Sequence, residues 1–192
     1  RYDRAIVEEA VRWLHEEARG HDRPWVLFVS LVCPHPPLIA PPEFYERYPL
    51  DRVDLPKQYR LHERPRHPAL EAHRHRNDVE DELDEEVIRR ARAAYYGLCS
   101  FLDHNVGRIL AALEAAGLSE RTRIVYTSDH GEMLGQHGLW WKSTMYDDAV
   151  GVPLIVAGPD LPEGRVVSHV VSLVDCFPTI LEAVGARPCP ED

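Results

Sequence analysis

The sequence predicts an α/β fold, a mainly parallel sheet flanked by helices. Two observations carry that expectation. Short continuous apolar runs at residues 25–31, 123–127 and 152–157 read as strands covered on both faces. Apolar residues at helical spacing occupy 3–19 and 85–116, so helices alternate with strands. There is no internal repeat.

In residues 3–19, Ile6, Val7, Ala10, Val11 and Leu14 follow the helical period, and Gly20 is placed to end the helix. Trp25 to Leu31 follows as the first strand. Pro34, Pro36, Pro37, Pro41 and Pro42 then exclude both helix and central strand, so an ordered loop leaves the strand end.

Residues 51–86 are polar. Arg60 to Arg76 carries five Arg and four His, and Asp78 to Glu86 carries seven carboxylates. This stretch reads as a solvated excursion whose halves partly neutralise each other, or as a substrate-gating lid or a contact in a homo-oligomer. Helical spacing returns from Glu85 to Ala116 through Val87, Ile88, Ala91, Tyr95, Leu98, Leu102, Val106, Ile109, Leu110 and Leu113, with Gly117 as its stop. Residues 123–127 and 152–157 are the next strands, and 169–173 is a candidate fourth. Asp175 can cap a last helix running through Leu181 to Gly185, with Pro178 in its first turn.

Length and charge bound the function. With 192 residues, 44% hydrophobic and 28% charged, the chain suits one domain with a sizeable core. The net charge of −10 argues against nucleic acid and anionic membranes as partners. No apolar run reaches the ~18 residues of a membrane span. Cys33, Cys99, Cys176 and Cys189 form no C-x-x-C pair and read as free thiols. Arg1 opens the chain without an initiator Met or signal peptide, so the sequence reads as part of a longer one. Its compartment is not fixed by these residues, the cytoplasm being the expectation.

Ligands of open α/β sheets bind beyond the carboxyl ends of the strands. His35 lies past the first strand. Ser128, Asp129, His130 and Gly131 follow the second and run on to His137 and Lys142. A carboxylate beside an imidazole suits a divalent cation, provided the backbone leaves strand geometry, which Gly131 would help. The same pair also suits a turn cap and a histidine bonded to backbone. Two ligands are too few for a complete metal site. Lys142 can stabilise charge on an anion, and His35 can bind an oxyanion or protonate a leaving group. Each also has a purely structural reading. His137 stands between a substrate contact and a loop residue.

Residues 28–37, 95–109, 127–142, 145–156 and 172–180, in that order, resemble the sulfatase family of the alkaline-phosphatase superfamily. The resemblance covers nearly all of the chain except 51–86, and Asp129 to Lys142 is its most specific part. His130 stands where many sulfatases have Asn, which is similar to the branch of choline-sulfatase-like enzymes and phosphonate monoester hydrolases.

The resemblance implies an incomplete alkaline-phosphatase-like fold, with residues 1–192 as the C-terminal portion of a sulfatase catalytic domain. It implies metal-dependent hydrolysis of sulfate esters by a formylglycine nucleophile, on a small anionic ester. The alternatives are phosphonate monoester or phosphodiester hydrolysis, and an inactive metal-binding fragment. Asp129 and His130 resemble metal ligands, for Ca²⁺ first and Mn²⁺ or Mg²⁺ otherwise. Lys142 resembles the lysine that binds the transferred group, and His35 the histidine on the substrate anion. His35, Lys142 and His137 are the candidate substrate-binding residues. The Cys/Ser-x-Pro-x-Arg motif that yields formylglycine is absent, as are the family's paired aspartates, and both are expected upstream of Arg1.

Overall fold

A computed structural model describes residues 2–186. The helices are α1 (Tyr2–Glu16), α2 (Pro42–Tyr45), α3 (Pro68–Arg76), α4 (Glu85–Ala115), α5 (Asp147–Val150) and α6 (Cys176–Ala183). The strands among these residues are β1 (Ile124–Thr127) and β2 (Leu154–Ala157). The chain divides into two compact units. One holds the described residues up to Leu31, Asn105–Thr127 and those from Leu154 onward; the other holds Val32–His104 and Ser128–Pro153.

In the first unit, α1 buries Val7, Ala10 and Leu14 along one face. On the opposite face Arg12 pairs with Glu9, Glu16 and Glu17. Leu14 and Ala18 pack on Ala112, Leu113 and Ala116 of the chain around the end of α4, with Trp25 and Leu27 half-buried against them. The end of α4 is as expected. Gly117 takes φ +65°. The N–H of Leu118 bonds the Leu113 carbonyl at 3.1 Å, and that of Gly117 the Glu114 carbonyl at 2.7 Å. That pair of bonds satisfies carbonyls the helix leaves open. Ahead of α6 a capping box links Ser172 and Asp175 around the 3₁₀ turn 173–175. Asp175 stands at the N-cap of α6, but its side chain makes no cap hydrogen bond there, so the expected cap is replaced by the bond back to Ser172.

The sheet differs from the expectation. β1 and β2 are antiparallel, with Ile124 opposite Ala157 and Thr127 opposite Leu154. The connection 128–153 leaves and re-enters the sheet at the same end, and its only α-helix is the four-residue α5. A parallel pair needs a crossover to the far end, usually a helix. Residues 25–31 and 169–172 form no strand; residues 173–175 are a 3₁₀ turn. The run 25–31 is extended but one-sided. Trp25, Leu27 and Val29 are half-buried, whereas Val26 is 57% and Phe28 86% exposed. β2 is exposed along its length. Two-sided burial of such runs needs layers packed on both faces of a sheet, whereas the described residues form one two-stranded ladder with β2 uncovered.

In the second unit, residues 51–86 are anchored rather than merely solvated. Val53, Tyr59, His73 and Arg74 are buried. Tyr59 packs with Ile88, Leu134 and Trp140. Arg60 and Glu85 pair at 2.9 Å, and His75 and Glu80 at 3.0 Å, so the basic and acidic halves do partly neutralise each other. Phe44 of α2 meets Phe101 of α4 edge-on at 5.4 Å. The described cysteines Cys33, Cys99 and Cys176 are free thiols, and burial pushes the Cys99 thiol up to about 11. Cys189 lies outside the described residues. Among the described residues no helix is long and apolar enough to cross a membrane.

Candidate active site

The chain past β1 turns at Ser128 and runs through a loop that closes on itself. Gly131 N–H bonds the Ala149 carbonyl and Glu132 N–H the Asp148 carbonyl, both at 2.8 Å. A Cβ at Gly131 would overlap the Asp148 carbonyl oxygen and sit 3.1 Å from that of Gly151. Glycine is required here for close backbone approach rather than for unusual dihedrals.

That turn sets the first pair. His130 Nδ1 lies 2.8 Å from the Gly131 carbonyl oxygen. A carbonyl only accepts, so Nδ1 donates there, which leaves Nε2 as the nitrogen turned to another partner. Nε2 faces Asp129 Oδ2 at 3.5 Å. The other oxygen, Asp129 Oδ1, accepts the His130 backbone N–H at 3.0 Å. An imidazole fixed through one nitrogen by a backbone carbonyl, its free nitrogen beside a carboxylate oxygen, is a donor set suited to a divalent cation. With Nδ1 held by the backbone, the second imidazole nitrogen and a carboxylate oxygen converge, so the residues fit the group. Among the described residues no cluster of three or more His, Cys, Asp or Glu side chains forms, so this pair is part of a site.

The second pair closes over a long sequence separation. Lys142 Nζ lies 3.0 Å from His35 Nε2, across 107 residues. His35 Nδ1 lies 2.8 Å from the Pro36 carbonyl oxygen, so it donates there, and Nε2 accepts from the ammonium. His35 is therefore held as the neutral Nδ1–H tautomer. An anion arriving here meets an oriented ammonium backed by an imidazole.

Glu132, not singled out in the sequence, organises the loop between the pairs. Its Oε1 accepts the backbone N–H groups of Leu134 at 3.1 Å and Trp141 at 2.6 Å. Burial pushes its carboxyl above the ordinary range, opposed by those two N–H groups and by Lys142 and His130. A carboxylate between two candidate ligand segments was the available signal. His137 is held elsewhere. Its Nδ1 lies 2.8 Å from Gln58 Oε1, and its ring stacks on Tyr146 at 4.4 Å. Its contacts favour the loop role over a substrate contact.

A cavity of about 300 Å³ opens beside Lys142 and His35. His73, Arg76 and Asn77 of the polar stretch line it, with Trp141, and among the described residues no Asp or Glu does. In an acidic protein this is a locally basic hollow, as an anionic ligand requires.

The family model described as Sulfatase matches residues 1–186. Arylsulfatase K of Xenopus laevis is 33% identical over 194 residues, covering 94% of this chain and 36% of that protein. Arylsulfatase K of Bos taurus is 35% identical over 199 residues, covering 97% and 36%. The solved phosphonate monoester hydrolase of Silicibacter pomeroyi superposes with a TM-score of 0.77 at 30% identity, covering 95% of this chain and 38% of that one. The chain thus spans little more than a third of the length of the relatives it matches. The loop from β1 to Lys142 falls within a match that runs from residue 1 to residue 186, and on that extent the chain belongs to the sulfatase family.

Proposed function

We propose that the full-length protein hydrolyses sulfate esters, and that this chain supplies part of its metal site and its anion-binding residues. The observation that carries the reading is the Lys142–His35 pair, 3.0 Å apart inside a Sulfatase match. Asp129 and His130 would hold a divalent cation, Ca²⁺ first and Mn²⁺ or Mg²⁺ otherwise. Bound there, it supplies positive charge to the oxygens of the transferred group.

The remaining work falls to this chain's own side chains. The Lys142 ammonium binds an oxygen of the sulfate and is most effective where the cavity excludes water. His35 orients that ammonium through Nε2. Once an anion draws Lys142 away, Nε2 is free to take up a proton from solvent and pass it to the departing alcohol oxygen, while Nδ1–H stays on the Pro36 carbonyl. His137 keeps the 135–138 turn in place through Gln58 and Tyr146. The nucleophile, a formylglycine made from Cys or Ser, and the remaining ligands are expected in the full-length protein outside these 192 residues. The chain is accordingly read as the C-terminal portion of the catalytic domain.

A second reading is supported by the fold match to phosphonate monoester hydrolases at TM-score 0.77. The test is a matched pair, a 4-nitrophenyl sulfate and a 4-nitrophenyl phosphonate monoester, turned over by the full-length protein. Higher kcat/KM on the sulfate supports the proposal. Higher kcat/KM on the phosphonate overturns it in favour of the second reading.

A further inference from the structure

The cavity beside Lys142 and His35 is larger than the group those residues bind. A volume of about 300 Å³ corresponds to roughly ten water-sized units at ~30 Å³ each. A tetrahedral sulfate occupies a fraction of that, so the remainder is left to the alcohol portion. Its far side comes from α3, in the stretch that carries the chain's densest positive charge.

That side is built, not incidental. His73 is 6% exposed, and its Nε2 meets the Trp140 carbonyl at 3.0 Å. Arg74, equally buried, donates to the carbonyls of His137 at 2.9 Å and Pro65 at 3.2 Å. Asn77 donates its side-chain amide to the His73 carbonyl at 2.8 Å. These bonds fix the end of α3 against the loop that carries Trp141 and Lys142.

The basic side chains of this stretch have different fates. Arg60 pairs with Glu85. Arg64 donates to the carbonyls of Tyr59, Val79, Glu80 and Asp81. Arg74 is spent on carbonyls as above. Arg76 lines the cavity, and among the described residues no hydrogen bond or ion pair engages its guanidinium. An arginine that lines a hollow with no Asp or Glu among its described lining residues is a site for a second anion, and its guanidinium fork suits a carboxylate or a sulfate. Trp141 also lines this cavity and offers an apolar surface against which a ring can lie.

We propose that Arg76 determines substrate specificity by binding a second anionic group on the alcohol portion, so that the preferred substrates are sulfate esters of acidic, ring-bearing alcohols. This rests on the proposed sulfate ester hydrolysis, and the experiment separates the two. Calorimetric titration of the full-length protein with two unreactive sulfonates, 4-(sulfomethyl)benzoate and 4-(sulfomethyl)benzamide, reads the second anion without turnover. Kinetics on 4-sulfooxybenzoate, 4-sulfooxybenzamide and benzene-1,4-diyl disulfate read it in catalysis and distinguish a carboxylate from a second sulfate.

The expected result is a preference for the benzoates over the benzamides that Arg76→Ala lowers about tenfold, the range of one charge-assisted hydrogen bond, and that Arg76→Lys partly keeps. An equal fall on both members of a pair, or no preference in the wild type, overturns the proposal. Absence of sulfate turnover by the wild type with an intact Arg76-dependent sulfonate preference overturns the sulfatase activity alone.

Discussion

The carboxylate of Glu132 accepts a 2.6 Å hydrogen bond from the backbone N–H of Trp141, the residue before Lys142. With its bond to Leu134 N–H, this ties the start of the loop to its end, so the ammonium is placed by a half-buried carboxylate ten residues upstream. Glu132→Ala leaves two backbone donors unmade and should destabilise the protein by about 1–3 kcal/mol. Glu132→Gln retains a side-chain carbonyl that accepts both bonds and should recover most of that loss. Thermal unfolding gives the stability, and kcat/KM should fall at least about tenfold for the alanine variant as Lys142 loosens.

Gly131→Ala tests the close packing that shapes the candidate metal turn. The added methyl overlaps the Asp148 carbonyl, a backbone atom that moves only if residues 148–151 move. The expected cost is about 1–3 kcal/mol of stability, with a loss of metal-dependent turnover. An unchanged Tm would show that the two segments yield freely.

Asp129→Ala removes one of two converging donors. Turnover by the full-length protein should drop by at least about a hundredfold, the scale of a lost Lewis-acid contribution. Treatment of the wild type with a chelator should have the same effect and be reversed by Ca²⁺, Mn²⁺ or Mg²⁺. Reversal in the wild type but not in Asp129→Ala ties the metal to this residue.

The 192-residue chain on its own should show little sulfate release, since it carries two candidate metal ligands and no formylglycine motif. It also exposes Phe28 at 86% and Ile155 at 58%. Exposed apolar surface of this kind promotes self-association and dye binding. Fluorescence with an anilinonaphthalene sulfonate should therefore be strong for the isolated chain. It should be weak for the full-length protein.

The parts of the fold legible in the sequence are those whose information is local. Val7, Ala10 and Leu14 repeat at the helical period, and so do the apolar positions of α4, which ends at Gly117 as its φ of +65° demands. Strand positions at 124–127 and 154–157 were legible from their apolar runs, but their antiparallel pairing was not. Pairing depends on where the 128–153 connection returns, which no local pattern encodes. The same limit applies to residues 25–31, whose neighbours across a sheet are set by distant segments.

The site divides in the same way. Asp129, His130, His35 and Lys142 were visible as residue types placed after apolar runs, and the structure brings them together as two pairs. Arg76 was invisible among five arginines because only tertiary structure engages Arg60, Arg64 and Arg74 elsewhere and puts Arg76, but not Arg66, in the cavity lining. His73 and Arg74 looked solvated in a charge-rich stretch. They are buried, and backbone carbonyls of Trp140 and His137 accept from or face them there, although among the described residues Arg74 Nε has no partner of its own.

The most direct measurement is a double-mutant cycle on kcat/KM for an aryl sulfate, using Lys142→Ala, His35→Ala and both together in the full-length protein. If the 3.0 Å pair acts as one anion-binding unit, each single change lowers kcat/KM by at least about a hundredfold and the double change adds little beyond the larger single effect. Near-wild-type turnover in either single variant, or fully additive losses, would contradict it.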